Sequence, residues 1–252
     1  MIPAHPNPEH TQTPNLPGSD GLPVPVSMRE PTSGDALRIK GGQTLSGRIR
    51  IGGSKNLVLP AFAAALLTAE ACIYDNVPCI EDTRTMLRLL KHHGATVTPD
   101  PDDASFFLEL AEHQRVEINT AQITTTIADD SLARSMRASF LVAGPLLARV
   151  GHAQAPTPGG DDIGARPLDV TVRGFERMGA AVSHDAAGHV ELSARRLTGT
   201  SLYLDYPSHT GTENLMMAAV LASGTTTIVN ASAEPEVIAF GEMLNRMGAS
   251  IE

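Results

Sequence analysis

The sequence has few lysines, two cysteines and no long apolar run. Only three of its 19 cationic side chains are lysine and the net charge is −9, so no basic cluster indicates nucleic-acid or membrane-surface binding. Cys72 and Cys79 have neither a metal-binding spacing nor the pattern of a disulfide framework. The amino terminus lacks a signal-peptide pattern. We therefore expect a soluble, cytoplasmic protein without a metal site.

Proline is concentrated at the amino terminus, where residues 1–36 contain eight of the 18 prolines. This segment has hardly any apolar run, so it cannot bury enough surface to offset the entropy cost of ordering. We expect residues 1–36 to be a disordered leader and residues 37–252 to form the folded domain. At the start of that domain, alternating apolar residues from Leu37 to Ile51 predict two strands joined by a turn.

The folded part contains a pattern that occurs three times. In each copy an Ala-rich or Met-rich helix leads to a strand or loop, and a second amphipathic helix then ends in Gly-Ala. Glycine suits the left-handed backbone at the carboxyl end of a helix. Extra residues in the first copy predict further strands at 106–108 and 116–118 and a loop at 124–126. The closing glycines are Gly94, Gly179 and Gly248.

A glycine-rich loop with a basic end occupies residues 158–169, which read Pro-Gly-Gly-Asp-Asp-Ile-Gly-Ala-Arg-Pro-Leu-Asp. Gly and Pro exclude a helix interior or central strand here. The free N–H groups of the helix that follows, together with Arg166, can hold an anion. An ordinary surface loop is the commoner meaning of such a composition. The apolar stripe of the following helix is Leu168, Val172, Phe175 and Met178.

This loop resembles the active-site loop of the UDP-N-acetylglucosamine 1-carboxyvinyltransferases, enolpyruvyl transferases that begin peptidoglycan precursor synthesis. That family usually has Pro-Gly-Gly-Cys-x-Ile-Gly-Ala-Arg-Pro-x-Asp, so Asp161 stands where cysteine is usual. The resemblance implies an α/β (α+β) fold, an inside-out α/β barrel domain of three βαβαββ-type units. It covers about residues 37–252, roughly half of a usual member, so we expect the family's second domain to be missing.

The resemblance implies roles for the residues around phosphoenolpyruvate. Lys55 and Asn56 precede the first Ala-rich helix, and the family's lysine here contacts phosphoenolpyruvate while its asparagine lies near the sugar. Arg137 corresponds to an active-site arginine, although by itself it would be taken for a surface residue. Asp161 would be the general acid that protonates the methylene carbon, provided that its pKa is raised. The adjacent Asp162 leaves that assignment open.

The resemblance also implies which residues hold the nucleotide. In the family, the loop-base arginine contacts phosphate groups, an acid with apolar neighbours holds the uracil, and a Ser- and Gly-containing turn contacts the nucleotide. Leu168 is as readily explained as helix core, and Ser208 as a helix cap without a ligand. His209 receives no role, because many relatives have an apolar residue there. The substrate-binding residues implied are Lys55, Asn56, Arg137, Arg166, Pro167, Leu168, Asp169, Val170, Ser208, Thr210 and Gly211.

The implied reaction transfers the enolpyruvyl group from phosphoenolpyruvate to UDP-N-acetylglucosamine by addition and elimination, with no metal or organic cofactor. Lys55, Arg137 and Arg166 would neutralise the substrate anions. Two alternatives stay open: a non-catalytic UDP-sugar-binding remnant, and an EPSP synthase, which shares the fold but not this loop sequence. The expected partners are the two small-molecule substrates and the missing second domain, with no nucleic acid and no membrane.

Overall fold

The computed structural model describes Gly42, Thr44, residues 46–157 and residues 168–252. The chain divides into two units, Met1–Arg48 and Ile49–Glu252, and the helices and strands described below lie in the second. In the described ranges, none of the helices has the length and apolar character needed to cross a lipid bilayer.

The described residues form α-helices, β-strands and two 3-10 helices. The α-helices are α1 (Lys55–Ala64), α2 (Glu81–His92), α3 (Phe106–His113), α4 (Asp130–Ser135), α5 (Ala143–Val150), α6 (Asp169–Arg177), α7 (His209–Val220) and α8 (Pro235–Arg246). The strands are β1 (Ala71–Asp75), β2 (Thr96–Thr98), β3 (Arg115–Asn119), β4 (His152–Ala155), β5 (Ala181–His184), β6 (Val190–Ser193), β7 (Ser201–Tyr203) and β8 (Thr227–Val229). The 3-10 helices are Ala65–Leu67 and Arg137–Val142.

Two three-stranded sheets have the same topology. Their strand orders are β1-β3-β2 and β4-β6-β5, and the central strand is antiparallel to both neighbours. The outer strands are therefore parallel to each other and are joined by a crossover helix, α2 in the first sheet and α6 in the second. Ile118 of β3 and Leu192 of β6 hold equivalent buried central positions. The parallel pair β7-β8 is joined by α7. The fold is mixed α/β.

Small residues let the buried helices approach one another closely. A Cβ on Gly144 of α5 would collide with Asn214 of α7, and one on Gly174 of α6 would collide with Leu215 of α7. Asn214 accepts from the Gly144 N–H at 2.7 Å and donates to the Phe140 carbonyl at 2.8 Å. This buried amide therefore fixes the 3-10 helix Arg137–Val142 against α7.

The threefold pattern of helices is present in the described chain. The closing glycines Gly94, Gly179 and Gly248 all have left-handed backbones, with φ of 107°, 97° and 105°. Strands β2 and β5 follow the first two glycines, whereas the described residues after Gly248 form no strand. The predicted strand at 116–118 is confirmed within β3, and residues 124–126 lie in a loop as predicted.

Two strand predictions are wrong. Phe106–Leu108 begins helix α3, because Phe106 and Leu110, four residues apart, are both fully buried on one helix face. The alternation of Ile49 and Ile51 gives no strand either, and the other half of that prediction, at Leu37 and Ile39, lies outside the described residues. The side chains of Ile49 and Ile51 are 84% and 78% exposed, so neither is buried against the described residues. An alternating pattern specifies a strand only where one of its two faces is buried.

Candidate functional site

The amino ends of several helices converge at one side of the second unit. In the first turns of α1 and α8, Asn56 Nδ2 donates to Glu236 Oε1 at 2.9 Å. The first turn of α7 joins them, because Glu234 and Glu236 act electrostatically on His209. Helix amino ends carry partial positive charge and N–H groups without partners inside the helix. The N–H groups of these helix starts suit an anionic ligand, whereas the carboxylates of Glu234 and Glu236 oppose one.

A narrow cleft lies between the 3-10 helix Arg137–Val142, α6 and α7. Three predicted residues meet in its lining, namely Arg137 of the 3-10 helix, Leu168 immediately before α6, and Thr210 of α7. The full lining is Arg137, Phe140, Leu141, Leu168, Thr171, Thr210 and Asn214. A guanidinium, hydroxyl groups and an amide thus face apolar side chains, and the space between them, about 10 Å³, has room for one water molecule.

Arg137 is positioned by the buried residues on either side of it. Met136 is buried before it, and Ser139 is buried after it, with its hydroxyl donating to the Ala133 carbonyl at 2.7 Å. Asn214 holds the next turn through the Phe140 carbonyl. These contacts fix the backbone that carries the half-buried Arg137 into the cleft.

The first turn of α7 is held by its cap. Ser208 Oγ accepts from the Gly211 N–H at 3.2 Å, so the predicted cap is present. Gly211 is buried, and a Cβ there would lie 2.8 Å from Ser208 Oγ and 3.1 Å from Thr171 Oγ1. Glycine at this position therefore allows the amino ends of α6 and α7 to lie side by side.

The three residues at the start of α6 have different environments: the first lines the cleft, the second is exposed and the third is buried in the core. Leu168 lines the cleft and also packs against the core. Asp169 is exposed and accepts from Arg173 at 2.8 Å, and Arg173 also pairs with Asp205. Val170 is buried in the core, and it lines a separate cleft beside Arg173.

Lys55 and Asn56 lie on the exposed first turn of α1 and are not part of the Arg137 cleft lining. Lys55 Nζ lies 2.7 Å from Asp82 Oδ2 of α2. Asn56 donates to Glu236 of α8, and this hydrogen bond lowers the pKa of the Glu236 carboxyl. An anion that binds Lys55 must therefore share the ammonium group with Asp82.

Sequence reasoning missed several polar residues of this region. Glu213 and Asn214 are almost completely buried on α7, Thr171 lines the cleft, and Asp82 pairs with Lys55. The available signal was the Glu-Asn pair immediately before the apolar run Leu-Met-Met-Ala-Ala of α7, because polar residues that are buried with such a run need partners. Their partners lie on other elements and have no signature in the local sequence.

Four predicted residues, Asp161, Asp162, Arg166 and Pro167, lie outside the described residues. In the ranges that the structure does describe, the His, Cys, Asp and Glu side chains form no group of three or more that could hold a metal ion.

Comparison with known proteins gives relatives that share both sequence and fold. The chain is 46% identical over 218 residues to UDP-N-acetylglucosamine 1-carboxyvinyltransferase of Magnetococcus marinus. It is 47% identical over 214 residues to UDP-N-acetylglucosamine 1-carboxyvinyltransferase 2 of Carboxydothermus hydrogenoformans. These matches cover 86% and 85% of this chain but 49% and 48% of the relatives. The chain thus spans about half the length of the curated relatives it matches.

Solved structures agree on the fold. The enolpyruvyl transferase NikO from Streptomyces tendae superposes with a TM-score of 0.68 at 22% identity, over 84% of this chain and 47% of that one. EPSP synthase from Acinetobacter baumannii gives 0.60 at 15% identity, over 82% and 44%. Residues 39–252 match the family model of EPSP synthase (3-phosphoshikimate 1-carboxyvinyltransferase). The resemblance seen in the sequence is confirmed, and the chain belongs to the EPSP synthase family of carboxyvinyltransferases.

Proposed function

We propose that this chain is the nucleotide-binding half of a UDP-N-acetylglucosamine 1-carboxyvinyltransferase (MurA), which transfers the enolpyruvyl group of phosphoenolpyruvate to UDP-N-acetylglucosamine in the cytoplasm. The observation that carries the proposal is an identity of 46% over 86% of the chain to an enzyme of that name. EPSP synthase is the weaker candidate, because the solved enzyme of that name shares 15% identity. In this proposal, residues 37–252 form one inside-out α/β barrel domain of three βαβαββ-type units, and residues 1–36 are a leader.

The cleft supports this substrate class through its chemistry. The helix amino ends and Arg137 supply positive charge for the diphosphate and phosphate groups. Ser208, Thr210 and Gly211 hold the diphosphate at the start of α7. Leu168 and the exposed Asp169 carboxylate offer the uracil an apolar wall and an acceptor. The other proposed substrate-binding residues are Lys55, Asn56, Arg166, Pro167 and Val170.

The reaction needs an acid and stabilised anions. The acceptor hydroxyl gives its proton to a base in the other half of the enzyme and attacks the central carbon of phosphoenolpyruvate, while Asp161 gives its proton to the methylene carbon. The tetrahedral intermediate then loses phosphate, and a proton of the new methyl group returns to Asp161, which forms the enol ether. Lys55, Arg137 and Arg166 stabilise the anionic groups throughout. Asp161 can give a proton near neutral pH when nearby substrate anions raise its pKa.

A second candidate function is a non-catalytic UDP-sugar-binding protein, which is retained because the match covers 49% of the relative. Ligand titration followed by NMR tests the part that both candidates share. UDP-N-acetylglucosamine should perturb residues 168–170 and 207–212, whereas shikimate 3-phosphate should not. An equal response to an ADP-sugar would remove the uracil site from the proposal.

Turnover separates the two candidates. The chain joined to the remaining half of the Magnetococcus marinus relative should release phosphate from phosphoenolpyruvate in the presence of UDP-N-acetylglucosamine. In that protein, Asp161→Asn should lower turnover by about 10²–10⁴-fold, because the proton donor is lost. Asp162→Asn is the matched control and should retain activity. Loss in Asp162→Asn with full activity in Asp161→Asn would move the acid to Asp162. Absence of turnover in the parent protein would favour the binding candidate.

Asp161→Cys tests the same position by introducing the cysteine that is usual in the family. A thiolate is a much better nucleophile toward an epoxide than a carboxylate is. The joined protein should therefore resist fosfomycin, which alkylates the cysteine of this family, and Asp161→Cys should be active and sensitive. Equal sensitivity of the two proteins would argue against Asp161 as the residue at the cysteine position.

A further inference from the structure

Helix α7 carries a His–Glu pair, with the glutamate buried and the histidine half-buried, that the proposed reaction does not use. His209 Nε2 lies 3.3 Å from Glu213 Oε1, one helical turn away. The Glu213 side chain is 1% exposed and the His209 side chain 27%. Both atoms are buried, and neither has an aligned hydrogen bond to a described residue. An ionised carboxylate in this position is costly, so the pair calls for an explanation.

The environment of this pair favours bound protons. Glu234 and Glu236 at the start of α8 add negative charge beside both groups. Pairing with Glu213 raises the pKa of His209, and burial raises the pKa of Glu213. Asn56 of α1 holds Glu236, and Arg137 lines the cleft beside α7. Other charged groups on or next to the adjoining helices include Lys55, Glu81, Asp82, Asp169, Arg173 and Asp205.

The pair lies directly beside the residues that face the cleft. His209 stands between the capping Ser208 and Thr210, and Thr210 lines the cleft. Glu213 precedes Asn214, which lines the same cleft. The cleft lining thus includes the sequence neighbours of both titratable groups but not His209 or Glu213 themselves. Added negative charge favours the protonated form of each group.

We propose that His209 and Glu213 take up a proton when an anionic ligand binds at the amino end of α7, so that ligand binding by this chain is linked to pH. The inference rests on the proposed function for the identity of that ligand, a nucleoside diphosphate sugar. Proton uptake makes binding tighter at lower pH, because each bound anion stabilises the protonated pair. Uptake of one proton corresponds to a change in affinity of about tenfold per pH unit at most.

Calorimetry on the 252-residue chain measures this linkage directly. UDP-N-acetylglucosamine is the probe. Its diphosphate is esterified at both ends and therefore lacks the ionisation at about pH 6 that a phosphate monoester has. Binding heats in buffers of different ionisation enthalpy give the number of protons taken up. We expect uptake at neutral pH and an affinity that falls as pH rises. Both His209→Gln and Glu213→Gln should flatten that dependence.

His113→Gln is the matched control, because His113 is an exposed histidine 4.0 Å from a carboxylate, that of Glu112. It should keep the uptake of the parent chain. His209→Gln alters a partly exposed side chain, so it keeps the test usable if Glu213→Gln does not fold. Unchanged uptake and an unchanged pH slope in His209→Gln would overturn the proposal.

NMR titration of the His209 ring separates this inference from the proposed function. Inorganic pyrophosphate is the probe, and it should raise the pKa of the His209 ring. If the chain binds pyrophosphate with this response but not UDP-N-acetylglucosamine, the sugar nucleotide is wrong and the linkage stands. If the His209 ring titrates identically with and without pyrophosphate, the linkage is wrong.

Discussion

The two three-stranded sheets share a strand order but end their crossover helices differently. In the first, the residue before the closing glycine is His93, which is fully buried with Nδ1 2.9 Å from the Thr125 carbonyl. In the second, the equivalent residue is the fully buried Met178. The loop at Thr125 has no strand partner at this carbonyl, and buried backbone groups need partners. The position before the closing glycine can therefore hold either a polar or an apolar buried side chain.

The connections to the central strands differ as well. The first sheet reaches β3 through helix α3, which is anchored by the fully buried Phe106. The second reaches β6 through a tight turn in which Asp185 Oδ1 accepts from the N–H groups of Ala187 and His189. A long connection must bury apolar surface of its own, whereas a short turn is stabilised by local hydrogen bonds. The comparison predicts that substitutions at equivalent positions of the two sheets change the free energy of unfolding, and its pH dependence, by different amounts.

Removing the apolar anchor of the long connection should have the largest effect. Phe106→Ala deletes a fully buried ring and leaves a cavity, so the free energy of unfolding should fall by about 3–5 kcal/mol. Urea denaturation followed by circular dichroism measures this. Leu108→Ala in the same helix is the control, because Leu108 is 75% exposed, and it should change stability by less than about 0.5 kcal/mol. Equal losses would mean that α3 is not anchored through Phe106.

The closing glycines should differ in their tolerance of alanine. A Cβ on Gly94 would lie 2.8 Å from the Gln122 carbonyl oxygen and 2.9 Å from the Thr124 nitrogen, whereas Gly179 has nothing within 4 Å. Gly179→Ala adds only left-handed backbone strain of about 1–2 kcal/mol. Gly94→Ala adds a collision with backbone and should cost about 2–4 kcal/mol. Thermal and urea unfolding of both variants check this order, and a larger cost at Gly179 would refute it.

The two helix ends should respond differently to acid. Burial lowers the pKa of His93 from 6.5 to about 4, so the unfolded chain binds this proton more readily than the folded chain. The contribution of His93 is complete above pH 6.5 and is lost as pH falls toward 4, by about 3 kcal/mol in total.

His93→Met, which copies the second sheet, isolates this contribution. The variant loses the hydrogen bond to Thr125, at a cost of about 1 kcal/mol at neutral pH. It should then lose less stability than the parent chain between pH 6.5 and 4. Urea unfolding at several pH values measures the difference. His113→Gln should behave like the parent chain, and an unchanged pH dependence in His93→Met would show that the acid response has another source.

Local chemistry in the sequence determined the repeating helices and their ends. The closing glycines, the Ser208 cap and the apolar stripe through Phe175 and Met178 were predictable, because each depends on a backbone preference or a helical period within a few residues. The loop sequence likewise indicated the family. The local sequence at Phe106 was compatible with either a strand or a helix, and only packing against the core selected the helix α3.

The relations between distant residues were decided only by the tertiary structure. The sequence proposed Arg137, Leu168 and Thr210 separately through a resemblance, and the packing of three elements places them in one cleft. Nothing near Lys55 indicates its pairing with Asp82, and the sequence around Glu213 does not indicate that α8 lies beside this carboxylate. Backbone preferences act over neighbouring residues, whereas burial and charge pairing depend on elements that meet only when the chain is folded.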